Sequence, residues 1–535
     1  MLAAMARRAT RRIRTGPGRA GAVLAALLLP AASAATARAD DTHYQNQLIG
    51  ERALGMGGAF TAVATDPTAS FYNPGGLAMT LSSSISASLN LYGVEHRTIE
   101  DGHVSTISGE RVAVDLEATE FPTIPTTFGV LRAFGERLPD GSRRHAAAFS
   151  MLIPDQTSYS YEATVGRSGE TDLDVLRLSE SDRTLWVGPT YAVRVSDDLA
   201  LGLSAFVAMR TFSRSYSRAV ETPTEPPGER PESDYFEFFR VDTSFDTFAV
   251  LLRLGAMYRP LPDLQVGLAV GFPSILVYGD GSLSNQLGYA WFADVTEPYG
   301  DFRLESAAGL AADSFEPLDL RLGIAWKPAP ETTLAFDASY HFPTFAPYER
   351  LHLSPEEEER LLYDDLFAPR VSRRGVLNMN FGFECTIAEK WPLRAGAFTN
   401  FSAAPPLTRG AAQLERIDIV GGTFSLGYHF AGFTLNFGFL GSVGWGRAQA
   451  FDISGSGDPF VERDARQELF YFFLSGAQQI VTQTLDDLIE LIPVTAVPAA
   501  SAEEVPPSDT PPGAAPLPLD DEVFGGGATG PLPAP

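Results

Sequence analysis

Alternation of apolar and polar residues with a period of two runs through most of this chain, and it constrains the fold more than any other feature. In residues 318–326, for example, three leucines, an isoleucine and a tryptophan share one face, opposite Asp319, Arg321 and Gly323. Such a pattern predicts a β-strand with one apolar face. We identify fourteen segments of this kind, at 82–97, 123–135, 143–163, 181–195, 199–214, 240–259, 263–280, 316–328, 331–342, 373–388, 391–402, 414–429, 432–448 and 464–477. Each is long enough for a tilted strand to cross a bilayer, which takes about 9–11 residues.

The connections between these segments alternate strictly between long and short. The odd-numbered gaps hold 25, 17, 25, 35, 30, 11 and 15 residues, whereas the even-numbered gaps hold 7, 3, 3, 2, 2 and 2. Outer-membrane barrels have long extracellular loops and short periplasmic turns, whereas a soluble Greek-key sandwich has no reason to alternate in this way. The sequence therefore predicts an all-β fold, a fourteen-stranded antiparallel transmembrane β-barrel over 82–477. Because the number of strands is even, both ends of the barrel should lie on the periplasmic side.

The first 39 residues have the composition of a secretory signal peptide. They contain seven arginines and no acidic residue, a short apolar run at 21–29, and the small-x-small sequence Ala37-Arg38-Ala39. The apolar run is too short to span a bilayer as a helix, which needs about 20 residues. We therefore expect residues 1–39 to be removed on export through the inner membrane, and the mature chain to reside in the bacterial cell outer membrane.

Charge and metal-ligating residues argue against several other classes of function. The formal net charge is −26, whereas nucleic-acid binding depends largely on Lys and Arg, so no nucleic-acid partner is expected. Cys385 is the only cysteine, which leaves neither a disulfide framework nor a thiolate metal site. His341 and His429 fall on lumen faces of different strands with no catalytic motif beside them. We expect no enzymatic activity, no cofactor and no metal.

Two segments follow the last predicted strand. In residues 478–492 the apolar residues recur at helical spacing, and Pro493 ends the pattern, which predicts a periplasmic amphipathic helix. Residues 493–535 contain 11 prolines in 43 residues. Such a composition cannot bury a core, so we expect a disordered periplasmic tail.

The most specific motif lies at residues 50–78, which read GERALGMGGAFTAVATDPTASFYNPGGLA. Its glycines permit close backbone approach and positive φ, and Asn73-Pro74-Gly75-Gly76 is a strong turn signal. The segment resembles the N-terminal hatch of the FadL family of outer-membrane long-chain fatty-acid and hydrocarbon transporters (FadL/TodX type). In that family a similar segment precedes a fourteen-stranded barrel and folds into its lumen. The resemblance covers residues 48–477 and departs from the family at Gly75, where alanine is usual.

The resemblance implies that residues 40–81 form a hatch, or plug, in the barrel lumen. The residues expected to form this gate are Gly55, Gly57, Gly58, Asn73 and Pro74. The implied function is passive transport of hydrophobic small molecules, long-chain fatty acids first among them. The ligand would land on apolar loop residues at 287–292 and 361–368, enter a dry pocket above the hatch, and leave by a hatch movement or a kink in one strand. The expected partners are this ligand, outer-membrane lipid, lipopolysaccharide and the barrel assembly machinery, and the chain is expected to be monomeric.

A fatty-acid headgroup would require a buried cation. On the predicted lumen faces the candidates are Arg210, Arg253, Arg321 and Arg394. Each of them could instead pair with an acidic residue of the lumen, such as Asp319, Asp337 or Glu384. The sequence does not separate a fatty acid from an aromatic or alkane substrate.

A second function remains open at this point. A FadL-like barrel could act as an adaptor or assembly component for secreted or surface proteins, because the predicted C-terminal helix and tail lie beyond the resemblance. A general porin is disfavoured because it would lack the glycine-rich hatch.

Overall fold

The computed structural model describes residues 43–45, 47–107, 110–121, 127–166, 173–223, 234–292, 299–344, 349–361, 370–407, 415–430, 432–452 and 460–480. The predicted signal peptide, the proline-rich tail and most of the predicted C-terminal helix lie outside these residues.

The described residues form a closed antiparallel barrel of fourteen wall strands, which confirms the predicted fold class. Each wall strand pairs with the next along the chain, and the last pairs with the first from Ile480 opposite Ser83 to Ala465 opposite Ile99. The wall strands are β1 (Ser83–Ile107), β2 (Thr127–Arg137), β3 (Arg143–Gly166), β4 (Leu173–Arg194), β5 (Leu199–Pro223), β6 (Asp234–Leu261), β7 (Leu264–Gly271 and Ile275–Phe292), β8 (Tyr299–Ser314 and Asp319–Ala329), β9 (Thr332–His341), β10 (Val376–Ile387), β11 (Trp391–Asn400), β12 (Glu415–Phe430), β13 (Phe433–Asp452) and β14 (Phe460–Ile480).

Short helices and strands lie outside the wall. The α-helices of the described residues are α1 (Glu51–Gly55), α2 (Ala69–Tyr72) and α3 (Pro355–Leu361), and a 3-10 helix spans Pro74–Met79. Short strands at Glu110–Glu120, Glu349–Leu351 and Arg370–Val371 belong to the long connections. Across the ranges given above, no helix combines the length and the apolar composition that a membrane crossing requires.

The outward side chains change character along each long strand. On β5, Leu201, Leu203 and Val207 point outward and are 42–46% exposed. Further along the same outward face the residues are Thr211 and Ser213. Exposed apolar side chains are unfavourable in water and favourable in lipid. The apolar part of the wall is therefore the surface that contacts lipid, and the polar part projects beyond it on the long-loop side.

The strands extend further toward the long-loop side than the sequence predicts. Residues predicted as loops at 215–239 and 281–315 belong largely to β5, β6, β7 and β8, and the expected apolar landing loop at 287–292 is part of β7. In these extensions the outward residues are polar, as at Ser217 and Glu221 of β5. The inward face carries buried ion pairs, such as Arg218 with Asp174, beside apolar residues such as Tyr216. Because the outward face is no longer apolar, the alternation that marks a membrane-spanning strand is lost.

Strands β7 and β8 are both interrupted at the same height of the wall. β7 breaks at 272–274, which contains Pro273, and β8 breaks at 315–318, which contains Pro317. Proline has no N–H to donate to a strand ladder and is therefore excluded from its interior. The strand predicted at 263–280 runs through Pro273 without a break, and this detail is wrong. We call the two interruptions together the strand break.

The last wall strand takes the first residues of the predicted C-terminal helix. Residues 478–480 pair with Ser83, Ser84 and Ile85 of β1, so they close the barrel instead of beginning a helix at 478. The rest of the helix predicted at 478–492 lies outside the described residues.

Candidate functional site

The N-terminal residues 50–79, here called the hatch segment, lie within the barrel lumen. Phe60, Phe71 and Leu77 of this segment are at most 1% exposed, and they belong to one apolar cluster with Trp186 and Phe206 of the wall. The segment has little regular structure beyond α1, α2 and the 3-10 helix. Its order therefore depends on contacts with the wall rather than on a core of its own.

Seven wall glycines, each on a different strand, face the hatch segment. They are Gly129, Gly202, Gly255, Gly267, Gly323, Gly382 and Gly396. A Cβ atom at any of these positions would lie only 2.1–2.8 Å from an atom of the hatch segment. We call this set the glycine belt. It lets the backbone of the hatch segment approach the backbone of the wall directly, which no larger residue would permit.

Two of the predicted hatch glycines adopt left-handed backbone conformations. Gly57 has a φ of 60° and Gly58 a φ of 80°. A Cβ on Gly57 would lie 2.7 Å from the backbone nitrogen of Ala397 and 2.9 Å from the carbonyl carbon of Gly396. The carbonyl of Gly57 also accepts a hydrogen bond of 2.7 Å from Asn380 Nδ2. Both conformation and space therefore require glycine at position 57.

The predicted turn residues Asn73 and Pro74 fix the other end of the segment. Asn73 Nδ2 donates to the carbonyl of Thr61 within the segment and to that of Ala256 on β6, both at 2.9 Å. Its Oδ1 accepts from the backbone N–H of Gly75 at 3.2 Å, which caps the 3-10 helix begun by Pro74. One side chain thus joins two parts of the hatch segment to the wall.

Side chains of the wall also bind the hatch backbone. Asp337 Oδ2 accepts hydrogen bonds from the N–H groups of Phe60 at 2.8 Å and Thr61 at 2.7 Å. On the opposite part of the wall, Thr423 Oγ1 donates to the carbonyl of Gly55 at 3.2 Å. The sequence suggests Asp337 as a partner for a lumen arginine, whereas in the structure its Oδ2 binds the hatch backbone.

Two of the four candidate headgroup arginines share one acidic partner. Arg253 binds Asp319 Oδ2 at 2.7 Å and Arg321 binds Asp319 Oδ1 at 3.2 Å. Arg253 also donates to the carbonyl of Phe71 in the hatch segment, and Arg321 donates to Gln45 Oε1 at 3.4 Å. The two guanidinium groups are thus already hydrogen-bonded, and they share one carboxylate.

The other two candidates lie elsewhere. Arg210 binds both oxygens of Asp182 and donates to Ser314 Oγ at 2.8 Å, further toward the long loops. Arg394 binds Glu384 at 2.6 Å and lines the cavity on the short-turn side of the hatch segment. The four arginines therefore do not converge on one site, and their role in headgroup binding stays a prediction.

A cavity of about 80 Å³, here called the lumen pocket, lies on the long-loop side of the hatch segment. Its carboxamide side chains are Gln45, Gln47, Gln156, Asn378, Asn380, Asn400 and Gln467. One apolar patch, formed by Leu48, Phe398, Leu440 and Leu469, also lines it. The pocket is thus more polar than the dry groove that the resemblance implies. Such a lining suits a ligand that carries a polar group of its own better than a bare alkyl chain.

A larger cavity of about 560 Å³, here called the vestibule, lies on the short-turn side. Charged residues line it, among them Glu51, Asp66, Arg259 and Lys327. Burial raises the pKa of Glu51 to about 7, against the opposing attraction of the Arg394 guanidinium. The hatch segment thus separates two cavities of different size and carries an acid that titrates near neutral pH.

The two lumen histidines lie on opposite sides of the hatch segment. The ring of His341 stacks on Tyr44 at 4.7 Å beside the lumen pocket, and His429 Nδ1 lies 2.7 Å from Thr434 Oγ1 in the vestibule. They cannot act on one substrate together. Among the residues that the structure describes, no three His, Cys, Asp or Glu side chains are grouped to hold a metal ion.

These features define the class of the protein. It is a fourteen-stranded barrel with an apolar outer band, and a buried N-terminal segment separates two cavities in its lumen.

Comparison with known proteins gives the same architecture. No family model matches the chain, and no curated protein sequence matches it significantly. Among solved structures it is similar to a Pseudomonas aeruginosa FadL homologue, with a TM-score of 0.55 and 13% identity, covering 82% of this chain and 99% of that one. The P. putida toluene transporter TodX also matches, with a TM-score of 0.48, 11% identity and coverage of 81% and 99%. At these identities the first likeness shows the fold, and it confirms the FadL-type barrel predicted from the hatch motif.

Proposed function

We propose that this chain is an outer-membrane transporter through which hydrophobic small molecules pass without energy input, gated by the hatch segment. The observation that carries the proposal is the seating of that segment on the glycine belt, with a cavity on each side of it. A barrel built only as a scaffold would need neither the close seating nor the two cavities. The similarity of fold to a FadL homologue supports the same function.

The proposal includes an orientation in the membrane. The long-loop side faces the outside of the cell and the short turns face the periplasm, as in other barrels with this alternation of connections. Both ends of the mature chain are then periplasmic, after removal of residues 1–39. Lipid, lipopolysaccharide and the barrel assembly machinery are the partners that such a location implies.

Long-chain fatty acids are the substrate class that we propose to test first. The polar lining of the lumen pocket favours a hydrophobic molecule that carries a polar end over one that carries none. A carboxylate is such an end, and Arg253 and Arg321 are the best placed of the four candidates because they share Asp319 on the long-loop side of the hatch segment. Arg210 would bind the carboxylate nearer the long loops, and Arg394 would bind it after the molecule has passed the hatch segment.

Passage requires the hatch segment to shift within the lumen. Its contacts with Asn380, Asp337 and Thr423 are hydrogen bonds to backbone atoms, which can break and reform singly. The gate proposed here consists of Gly55, Gly57, Gly58, Asn73 and Pro74, because they lie at the contacts between segment and wall.

Uptake of radiolabelled oleate into proteoliposomes tests this function. We expect uptake faster than into protein-free liposomes and independent of any energy source. Uptake equal to that of protein-free liposomes would favour the second candidate, an adaptor or assembly component with the same fold but no path through it.

A further inference from the structure

The strand break interrupts the regular hydrogen-bond ladder between β7 and β8, which are joined there only by Ser274 N–H to the carbonyl of Glu316 at 3.0 Å and by Glu316 N–H to Ser274 Oγ at 2.9 Å in the described residues. The ladder ends at Gly271 opposite Asp319 and resumes at Asp280 opposite Ala311. Pro273 lies within the gap and cannot donate to the ladder, so the sequence itself causes the interruption. The wall is thus weakened at one height, inside the apolar band.

A small cavity of about 20 Å³ lies behind the strand break. Phe71 of the hatch segment and Trp186 of β4 line it from the lumen. Leu252 and Phe272 also line it, although both side chains are exposed on the outer face, at 37% and 41%. The lining therefore crosses the whole thickness of the wall, from lumen to lipid.

Trp186, which lines this cavity, carries an unused hydrogen-bond donor. Its side chain is 7% exposed, and its Nε1 has no hydrogen-bond partner in the described part of the chain. The ring packs against Phe71 at 5.5 Å and Phe206 at 5.7 Å, and the Arg253 guanidinium lies 5.8 Å from its centre. An indole N–H can only donate, and a buried donor without an acceptor is unfavourable. The missing group is therefore an acceptor.

The charges around the cavity are balanced. Arg253 and Arg321 face Asp319 and Glu316, all four of them lining residues. A neutral ligand oxygen can join this set without leaving a net charge in the wall. The cavity holds one polar group but not a ring, so the apolar part of a ligand must rest outside it, against the exposed side chains of the lip.

We infer that the strand break is a binding site for the oxygen-bearing end of a lipid-soluble small molecule such as a phenol. The oxygen accepts the hydrogen bond of Trp186 Nε1, and the apolar body lies between Leu252 and Phe272 on the lipid side. The inference deepens the proposed function, because Arg321 and His341 line both this cavity and the lumen pocket and so place the bound molecule beside the proposed path.

Equilibrium dialysis of the full chain in detergent, with radiolabelled p-cresol and toluene as a pair that differs by one hydroxyl, tests the inference. Trp186→Phe keeps an aromatic ring but removes the N–H. We expect it to weaken p-cresol binding about tenfold and to leave toluene binding unchanged. Trp326→Phe is the matched control, because Trp326 is 48% exposed on the outer face of β8, and it should change neither ligand.

Other results would overturn the site. The site would be wrong if the natural chain did not bind p-cresol. It would also be wrong if Trp186→Phe bound p-cresol as well as the natural chain does, or if it lost p-cresol and toluene binding equally. Phe272→Ala, at the exposed lip, should weaken the binding of both ligands. It is the variant to measure if Trp186→Phe does not give the heat-modifiable gel shift of a folded barrel. Oleate uptake measured on the same preparations separates the two proposals. If oleate is taken up but Trp186→Phe does not weaken p-cresol binding, the transporter function stands and this site does not. If Trp186→Phe weakens p-cresol binding but oleate is not taken up, the site stands and the transporter function does not.

Discussion

Replacing Gly57 by valine should detach the hatch segment while the barrel stays assembled. Gly57 has a φ of 60°, and a left-handed conformation costs a β-branched residue about 1–2 kcal/mol. The new Cβ would also lie 2.7 Å from the backbone nitrogen of Ala397, where the wall cannot yield without breaking its ladder; overpacking of this kind costs about 1–3 kcal/mol. Together the two terms weaken seating of the segment by roughly 2–5 kcal/mol, whereas strand pairing is untouched.

Hydrogen–deuterium exchange of the purified barrel measures this loss. Peptides from residues 50–79 should exchange at least about 30-fold faster in Gly57→Val, since every 1.4 kcal/mol is a factor of ten. Gly141→Val is the matched control: Gly141 also has a positive φ, 87°, but a Cβ there meets nothing within 4 Å. It should not alter exchange in the hatch segment. If Gly57→Val exchanges no faster than this control, the segment is not held by its contact with the wall, and the account of its seating is wrong.

Three further predictions concern the hatch segment and the topology. Asp337→Ala leaves two hatch N–H groups without an acceptor and should weaken seating by roughly 3–6 kcal/mol, measured by the same exchange, whereas Ser339→Ala on the same strand should have little effect. The pKa of Glu51, raised from an ordinary 4.5 to about 7, makes the protonated form the more stable one in the folded state. Seating should therefore weaken as pH rises from 4.5 through 7, by about 3 kcal/mol in all. Hydrogen–deuterium exchange, corrected for the intrinsic exchange rate at each pH, measures this change, and Glu51→Gln should abolish the difference in hatch protection between pH 5 and pH 8. An epitope tag at Glu356 should be accessible on intact cells, and a tag after Pro512 only once the outer membrane is opened; labelling of the second tag on intact cells would contradict the orientation.

The membrane-spanning part of the wall could be predicted from sequence because lipid imposes a period of two on it. The strand predicted at 331–342 is β9 (Thr332–His341) within two residues. The predicted strand ends were wrong where the wall projects beyond the lipid. The strand predicted at 181–195 begins at Leu173 in the structure, because the outward residues Arg177, Ser179 and Ser181 are polar and the apolar alternation is lost there.

The candidate site was only partly predictable for a similar reason. The glycine-rich motif at residues 50–78 could be recognised from sequence, since its turns and its glycines with positive φ are local properties. The glycine belt depends on registers between distant strands, such as that which places Gly396 against Gly57, and nothing near Gly396 in sequence signals it. The strand break does have a local signal, because Pro273 within an alternating segment predicts an interruption. No sequence signal points to Trp186, since a buried indole N–H without an acceptor can be recognised only in the structure.

Conductance of a barrel that lacks residues 51–78 tests the central claim, that the hatch segment gates the lumen. The deletion removes the segment between the lumen pocket and the vestibule but none of the wall strands, and the heat-modifiable gel shift verifies that the barrel has assembled. In planar bilayers the natural chain should conduct little. The deletion should open a steady, nonspecific conductance, and oleate uptake into proteoliposomes should change with it. If conductance and uptake both stay at the level of the natural chain, the segment is not a gate.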